Sequence, residues 1–293
     1  MSGVANIVIG GVFHAAVLFL VAAGLQLVFG VQKIVNLACG SFYALGAYFG
    51  VTFIAYATQL GLPPWLIFPS LIVAGLALAC IGPPIERMLR SVYGRDESFQ
   101  LLLTFALVLM FQDVFRFFWG ANPRSLDNAY LVYGVINARD FGVPIYNVMV
   151  ILAAIVVAAA LGMFLQLTNF GRILRATAEN RRMAEALGVD VGRIYSAVFT
   201  LGVALGTTAG ALVVPTAAAS LDMAIEFIVE AFAVVVIGGL GSMRGALIGA
   251  LIVGLIRAYA IVLYPELEVL AIYVIVIAVL LLRPAGLFGK SPA

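Results

Sequence analysis

The chain has 293 residues, of which 64% are hydrophobic and only 10% charged, with a mean hydropathy of +1.15. Soluble proteins carry about 25% charge, so this composition excludes a soluble globular class and places the protein in a membrane. At about 20 residues per span there is room for eight to ten helices joined by short loops, with none left for a separate soluble domain. The net charge of +2 is too small to suggest a nucleic-acid partner.

Apolar stretches fall at roughly 7–30, 37–57, 65–83, 99–118, 143–167, 195–215, 225–242, 246–263 and 268–282. They predict an all-α, polytopic transmembrane bundle of eight to nine spans, forming one domain over 1–293. The first stretch has no basic region before it and reads as a retained span, not a cleaved signal peptide. Asn36 to Tyr48 follows, with Gly40 and Ser41 where a helix would begin. Glycine permits both close backbone packing and the unwound, broken or re-entrant helix that lines a solute path. Cys39 and Cys80 lie in apolar segments without metal or disulfide spacing and read as packing residues.

Asp113 and Arg116, three apart on the fourth span, are placed to neutralise each other. The loop at about 119–142 contains Pro123, Tyr130, Tyr133, Gly134 and Phe141. It reads equally as a docking surface for an external partner and as a plain connection.

Phe170 to Arg193 interrupts the apolar pattern with Arg172, Arg175, Arg181, Arg182 and Arg193 beside Glu179, Glu185 and Asp190. Thr168 or Asn169 can cap a helix starting near Gly171, and Gly188 can end it in the left-handed region. The expectation is one exposed amphipathic helix whose small apolar residues, Ala176, Ala184 and Leu187, suit a partner's groove. The competing reading is a solvated loop that only fixes topology.

Gly238, Gly239 and Ser242 form a second small-residue cluster, which with Asn36, Gly40 and Ser41 makes the candidate solute path or gate. Arg257 has no partner on its own span and is expected to reach outward. His14 is the only histidine, and the intramembrane charges look isolated, which argues against a proton relay. Gly289-Lys290-Ser291 mimics the end of a phosphate-binding loop, but Pro284 stands where the leading glycine is required. No catalytic serine or zinc motif is present, so nothing supports an enzyme active site.

Orientation follows from the basic residues, which are retained on the cytoplasmic side. Nine spans with the N-terminus outside put Lys33, Arg87, Arg90, Arg95, the five central arginines, Arg244, Arg283 and Lys290 inside. Arg124 and Arg139 then fall outside, together with Asp127, Asp140, Asp222, Glu226, Glu230, Glu266 and Glu268.

From about residue 10 to 290 the chain resembles the permease subunits of bacterial branched-chain amino acid ABC importers, in particular their shorter permease type. Four stretches carry the likeness. They are Phe29 to Tyr48, Pro84-Ile85-Glu86-Arg87, Gly171-Arg172 through Gly188-Val189, and Gly238-Gly239-Leu240-Gly241-Ser242 leading to Gly245, Ala246 and Gly249. The resemblance implies an inner-membrane subunit working with a second homologous permease, two ATP-binding cassette subunits and an external solute-binding protein. It makes 168–194 the cytoplasmic coupling loop, with Arg172, Arg175, Glu179, Arg181, Arg182 and Gly188 for ATPase contact. No cofactor belongs to the chain itself, ATP residing on the partner subunits.

The chain departs from the family's Asn-Phe-Ala-His-Gly-Glu at Asn36-Leu37-Ala38-Cys39-Gly40-Ser41, and carries Arg244 and Arg257 where relatives have proline-containing and glutamate patterns. The cargo thus stays open among amino acids and the urea, short amides and aromatic or dicarboxylic acids that relatives move. Added arginine near the path favours an anionic solute. The alternative is a self-sufficient, ion-coupled secondary transporter using a carboxylate such as Asp113.

Overall fold

The computed structural model describes residues 2–93, 95–126, 131–138, 141–283 and 285–289. Asp127, Tyr130, Arg139, Asp140, Pro284, Lys290 and Ser291 lie outside the described residues.

Helix α1 (Ser2–Gln32) is apolar all round and lies mostly inside the bundle, as expected of a helix with no polar face. It stops at Lys33, whose φ of 58° leaves the helical region. Residues 33–38 form a non-helical link, in which Asn36 Oδ1 accepts the Ala38 N–H at 3.0 Å. Helix α2 (Cys39–Gln59) begins directly after it.

The third apolar stretch is not one regular helix. A 3₁₀ turn at Pro64–Leu66 precedes α3 (Ile67–Ala77), a second turn at Leu78–Ile81 follows, and α4 (Gly82–Leu89) leads to a third at Arg90–Val92. Pro83 and Pro84 lack the N–H that would continue the ladder, so α3 tightens and restarts at α4. The segment therefore runs to Val92 instead of ending near 83.

Helix α5 (Glu97–Trp119) ends at Gly120, with φ of 81°. Beyond it, β1 (Val135–Ala138) and β2 (Phe141–Pro144) pair antiparallel, Ala138 opposite Phe141. Then come α6 (Ile145–Leu167), α7 (Asn169–Glu179), α8 (Arg181–Ala186), α9 (Val191–Val213), α10 (Met223–Gly238), α11 (Met243–Leu263) and α12 (Glu268–Leu282).

Among the described residues seven helical segments are long and apolar enough to cross a membrane. The 16-residue α10 and 15-residue α12 complete the nine apolar stretches of the sequence.

Helix α9 is central, packed by α1, α2, α3 and α4, while α1 also packs on α10 and α11. Backbones meet where glycine allows it. A Cβ on Gly46 would stand 2.0 Å from the Thr207 carbonyl oxygen, and one on Gly210 would stand 1.8 Å from that of Tyr43. Helices α5, α6 and α12 expose Phe117, Phe118, Leu167, Leu281 and Leu282, an apolar skin suited to lipid.

Long-range contacts sort the connections to two ends of the bundle. At one end, Arg124 pairs its backbone with Ala219. There also the Tyr133 hydroxyl accepts from the Phe68 N–H at 2.8 Å and donates to the Trp65 carbonyl at 2.9 Å. The 119–142 loop is thus tied down at two points. At the other end, Arg90 reaches Gly192, Gln32 reaches Tyr195, and Gln26 reaches Gly239.

Candidate functional site

Two constellations stand at opposite ends of α9. The first is the charged segment between α6 and α9. Thr168 Oγ1 accepts the Gly171 N–H at 3.1 Å and caps α7. The single helix expected here is two, because Asn180 breaks out of helical geometry (φ −147°, ψ 95°) and its Oδ1 accepts the Met183 N–H at 3.0 Å, capping α8. An asparagine that can bond a backbone N–H three residues on competes with helix continuation. Gly188 (φ 84°) closes α8 in a Schellman arrangement, its N–H donating to Glu185 and that of Val189 to Ala184, at 3.0 and 3.1 Å.

Arg172, Arg175, Glu179, Arg181, Arg182 and Gly188 are all exposed, as are Ala176 and Leu187, whereas Ala184 is buried. Arg172 bonds Asn169 within its own first turn. Arg181 Nε donates to Glu185 at 2.9 Å, which raises the pKa of its guanidinium, and it lies 5.6 Å from the Tyr195 ring centroid.

Beneath this surface is a buried polar knot that sequence reasoning missed. Arg90 donates to both oxygens of the fully buried Glu86, at 3.1 and 2.7 Å, and to the Gly192 carbonyl at 2.8 Å. The Tyr93 hydroxyl lies 3.3 Å from both Glu86 Oε1 and Gln32 Oε1, and Gln32 Nε2 donates to the Tyr195 carbonyl at 3.0 Å. Burial, then the Glu86 charge, pushes the Tyr93 phenol well above its usual pKa. The i, i+4 spacing of Glu86 and Arg90 was the available signal.

The second constellation is a cavity of about 710 Å³ at the opposite end, between the start of α1, the α9–α10 connection and the end of α11. Phe13, Tyr43, Val213 and Phe227 give it apolar walls, with Thr216 and Glu226 among its polar lining. Tyr43 and Phe227 stack with ring centroids 3.8 Å apart.

Four charged or titratable groups meet beside that wall. His14 Nε2 is 2.7 Å from Glu230 Oε2, Arg257 Nη1 is 2.9 Å from His14 Nδ1 and 3.3 Å from Glu230 Oε1, and Arg257 Nε donates to Glu268. Arg257 Nη1 is within reach of both ring nitrogens of His14, 2.9 Å from Nδ1 and 2.7 Å from Nε2. Among the described residues Arg257 has no partner on its own helix, as expected, but the expectation that it reaches outward and that these charges are isolated is corrected. Its partners lie 243, 27 and 11 residues away, on elements no local pattern connects. Asp113 and Arg116 do approach, at 4.0 Å, and both are exposed.

The six path residues of the sequence reading form two groups, neither bordering this cavity. Asn36 and Ser41 are buried, and Asn36 Nδ2 and Ser41 Oγ find no hydrogen-bond partner among the described residues. Gly40 meets the α10 backbone, a Cβ there standing 2.1 Å from the Ala224 carbonyl oxygen. Gly238 packs on Gly245, and Ser242 Oγ caps α11 by accepting the Gly245 N–H at 3.1 Å. The Gly239 carbonyl accepts from Gln26 Nε2 at 3.0 Å, while Gln26 Oε1 accepts the Gly241 N–H. Gln26 escaped the sequence reading although it is an amide set within the apolar run of α1. Cys39 is buried and Cys80 exposed, both as free thiols.

A nearly all-helical, polytopic bundle with an apolar-walled cavity and clustered charges at one end and capped basic helices at the other has the architecture of a membrane transport subunit. A family model described as branched-chain amino acid transport system / permease component matches residues 7–280. The chain belongs to that family and is a multi-pass inner-membrane permease subunit of an ABC importer.

It is similar to the high-affinity branched-chain amino acid transport system permease protein LivH of Escherichia coli, 28% identical over 289 residues, covering 96% of this chain and 94% of the relative. It is likewise similar to BraD, of the same description, from Pseudomonas aeruginosa, 25% identical over 92% of this chain and 91% of the relative. A shorter likeness, 26% over 141 residues (43% of this chain, 41% of the relative), links it to a probable branched-chain amino acid transport permease protein LivM of Methanocaldococcus jannaschii. No solved structure matches the chain.

Proposed function

We propose that this subunit forms half of a permease pair that moves a branched-chain amino acid or a related small polar solute inward, driven by ATP hydrolysis on two separate cassette subunits. An external binding protein delivers the solute to the end bearing the cavity. The N-terminus faces outside and the C-terminus the cytoplasm, since Lys33, Arg87, Arg95, Arg175 and Arg244 gather at the α7–α8 end. The likeness to a second permease type supports a pair of related chains.

The observation that carries the reading is the exposed α7–α8 pair. Two short helices, each capped by its own side-chain oxygen and edged by arginines, present a rigid basic surface. A loop that only fixed topology has no need of three local capping devices. Arg172, Arg175, Glu179, Arg181 and Arg182 make the ATPase contact, Gly188 sets the exit from α8, and Asn36, Gly40, Ser41, Gly238, Gly239 and Ser242 line or gate the path as the bundle opens. The unpartnered polar atoms of Asn36 and Ser41 support that role, because burying them without a partner costs about 1–3 kcal/mol each and opening to water relieves it.

The test is the double substitution Arg181→Glu with Arg182→Glu in the assembled complex. The expected outcome is retained expression and fold with ATP hydrolysis uncoupled from solute uptake. Unchanged assembly and unchanged uptake would reject the assignment.

A further inference from the structure

The cavity at the α1–α10–α11 end has a charge balance opposite to that suggested by Arg257 in the sequence. The guanidinium is held by Glu230 and Glu268, and Glu226 adds a further carboxylate to the lining. The cavity lining itself thus sets two carboxylates, Glu226 and Glu230, beside the one guanidinium, which Glu268 holds from the far side. A carboxylate-only solute entering here meets two carboxylates and a guanidinium already engaged by Glu230 and Glu268, whereas an ammonium group meets acceptors.

Tyr43 supplies a second, independent sign of a ligand. The residue is 2% exposed and borders the cavity, and its hydroxyl, to which the described residues supply no hydrogen bond, opens onto that space instead of being sealed in the core. Its ring is stacked on Phe227, which fixes where that hydroxyl stands. Buried phenols normally find a partner. The aromatic faces and Val213 offer an apolar wall for the remainder of the solute, and aromatic faces also attract a cation.

We propose that this cavity is a solute site that reads the amine, holding an ammonium group at Glu230 and Tyr43 with an apolar body against Phe227, and that Arg257 positions Glu230. The assignment rests on the transport reading above, but its test does not depend on it.

The chain, in its complex and in lipid nanodiscs, is tested for direct binding of three radiolabelled probes: leucine, its decarboxylated amine 3-methylbutylamine, and its deaminated acid 4-methylpentanoate. The amine and leucine are expected to bind and the acid not. Glu230→Gln lowers amine affinity about tenfold or more, by loss of a charged acceptor, and the conservative Tyr43→Phe, which keeps the ring stack, lowers it about two- to fivefold. Binding of the acid as tight as that of the amine, or amine binding untouched by Tyr43→Phe in a folded protein, would overturn the site. Uptake is read separately in the same preparation. ATP-independent uptake would refute the importer reading while leaving the binding result to stand on its own.

Discussion

The two ends of α9 are built by different physics. Within the surface helices α7 and α8 the shaping contacts are local: Thr168 with Gly171, Asn180 with Met183, Arg181 with Glu185, Gly188 with Glu185. At the cavity end the contacts join residues as far as 243 positions apart. Burial differs as well. The side chains of Arg181 and Glu185 are 54% and 46% exposed, while Glu230 is 13% and Arg257 26% exposed. Charges in the first region should be alterable with little structural cost, any large effect falling on the coupling proposed above. In the second, substitutions should tell on stability as well.

The sharpest test of this contrast is Glu230→Ala, which removes one of the two carboxylates holding Arg257 and the carboxylate partner of His14 in a low-dielectric site. Breaking such a buried pair costs about 3–5 kcal/mol, so thermal unfolding of the purified complex should shift markedly downward. A shift no larger than that of a surface substitution would erase the distinction between the ends. Between the ends, Gly46→Ala drives a methyl into the Thr207 backbone. Overpacking of this kind costs about 1–3 kcal/mol and should separate α2 from α9, read as faster proteolysis within the 33–38 link. The smallest effect belongs to Arg181 and Glu185. A double-mutant cycle on their exposed i, i+4 pair should return about 0.3–0.5 kcal/mol of coupling in stability, despite the uncoupling expected from charge reversal at Arg181 and Arg182.

The same contrast explains what could be read from the sequence. The apolar stretches became helices because lipid leaves the backbone no other partner, and Thr168 and Gly188 acted as caps because capping needs only near neighbours. Asn180 was the local signal overlooked, an N-cap residue standing inside a presumed single helix. The Pro83-Pro84 restart was similarly legible but read only as an end. The cluster around Arg257 was not, since Glu268 reaches it across a turn and His14 from the first helix. A partial clue was available: on the nine-span topology Glu230 and Glu268 share one side of the membrane, and Arg257 lies toward that same end. Asn36 and Ser41 were legible as small polar residues at a helix start, but the burial of Asn36 Nδ2 and Ser41 Oγ without partners among the described residues was not, since it is set by packing against distant helices.

Helix α9 has a mechanical consequence. Its first turns carry Asp190, Gly192 and Tyr195 under the basic helices, and its last residue, Val213, walls the cavity. Twenty-three helical residues span roughly 34 Å. The close glycine contacts near its middle, with Gly46 and Gly24, clamp it there like the fulcrum of a beam. A tilt of about 5° around that fulcrum displaces both ends by about 1.5 Å in opposite directions, so a stroke at one face of the membrane is delivered, reversed in sign, at the other.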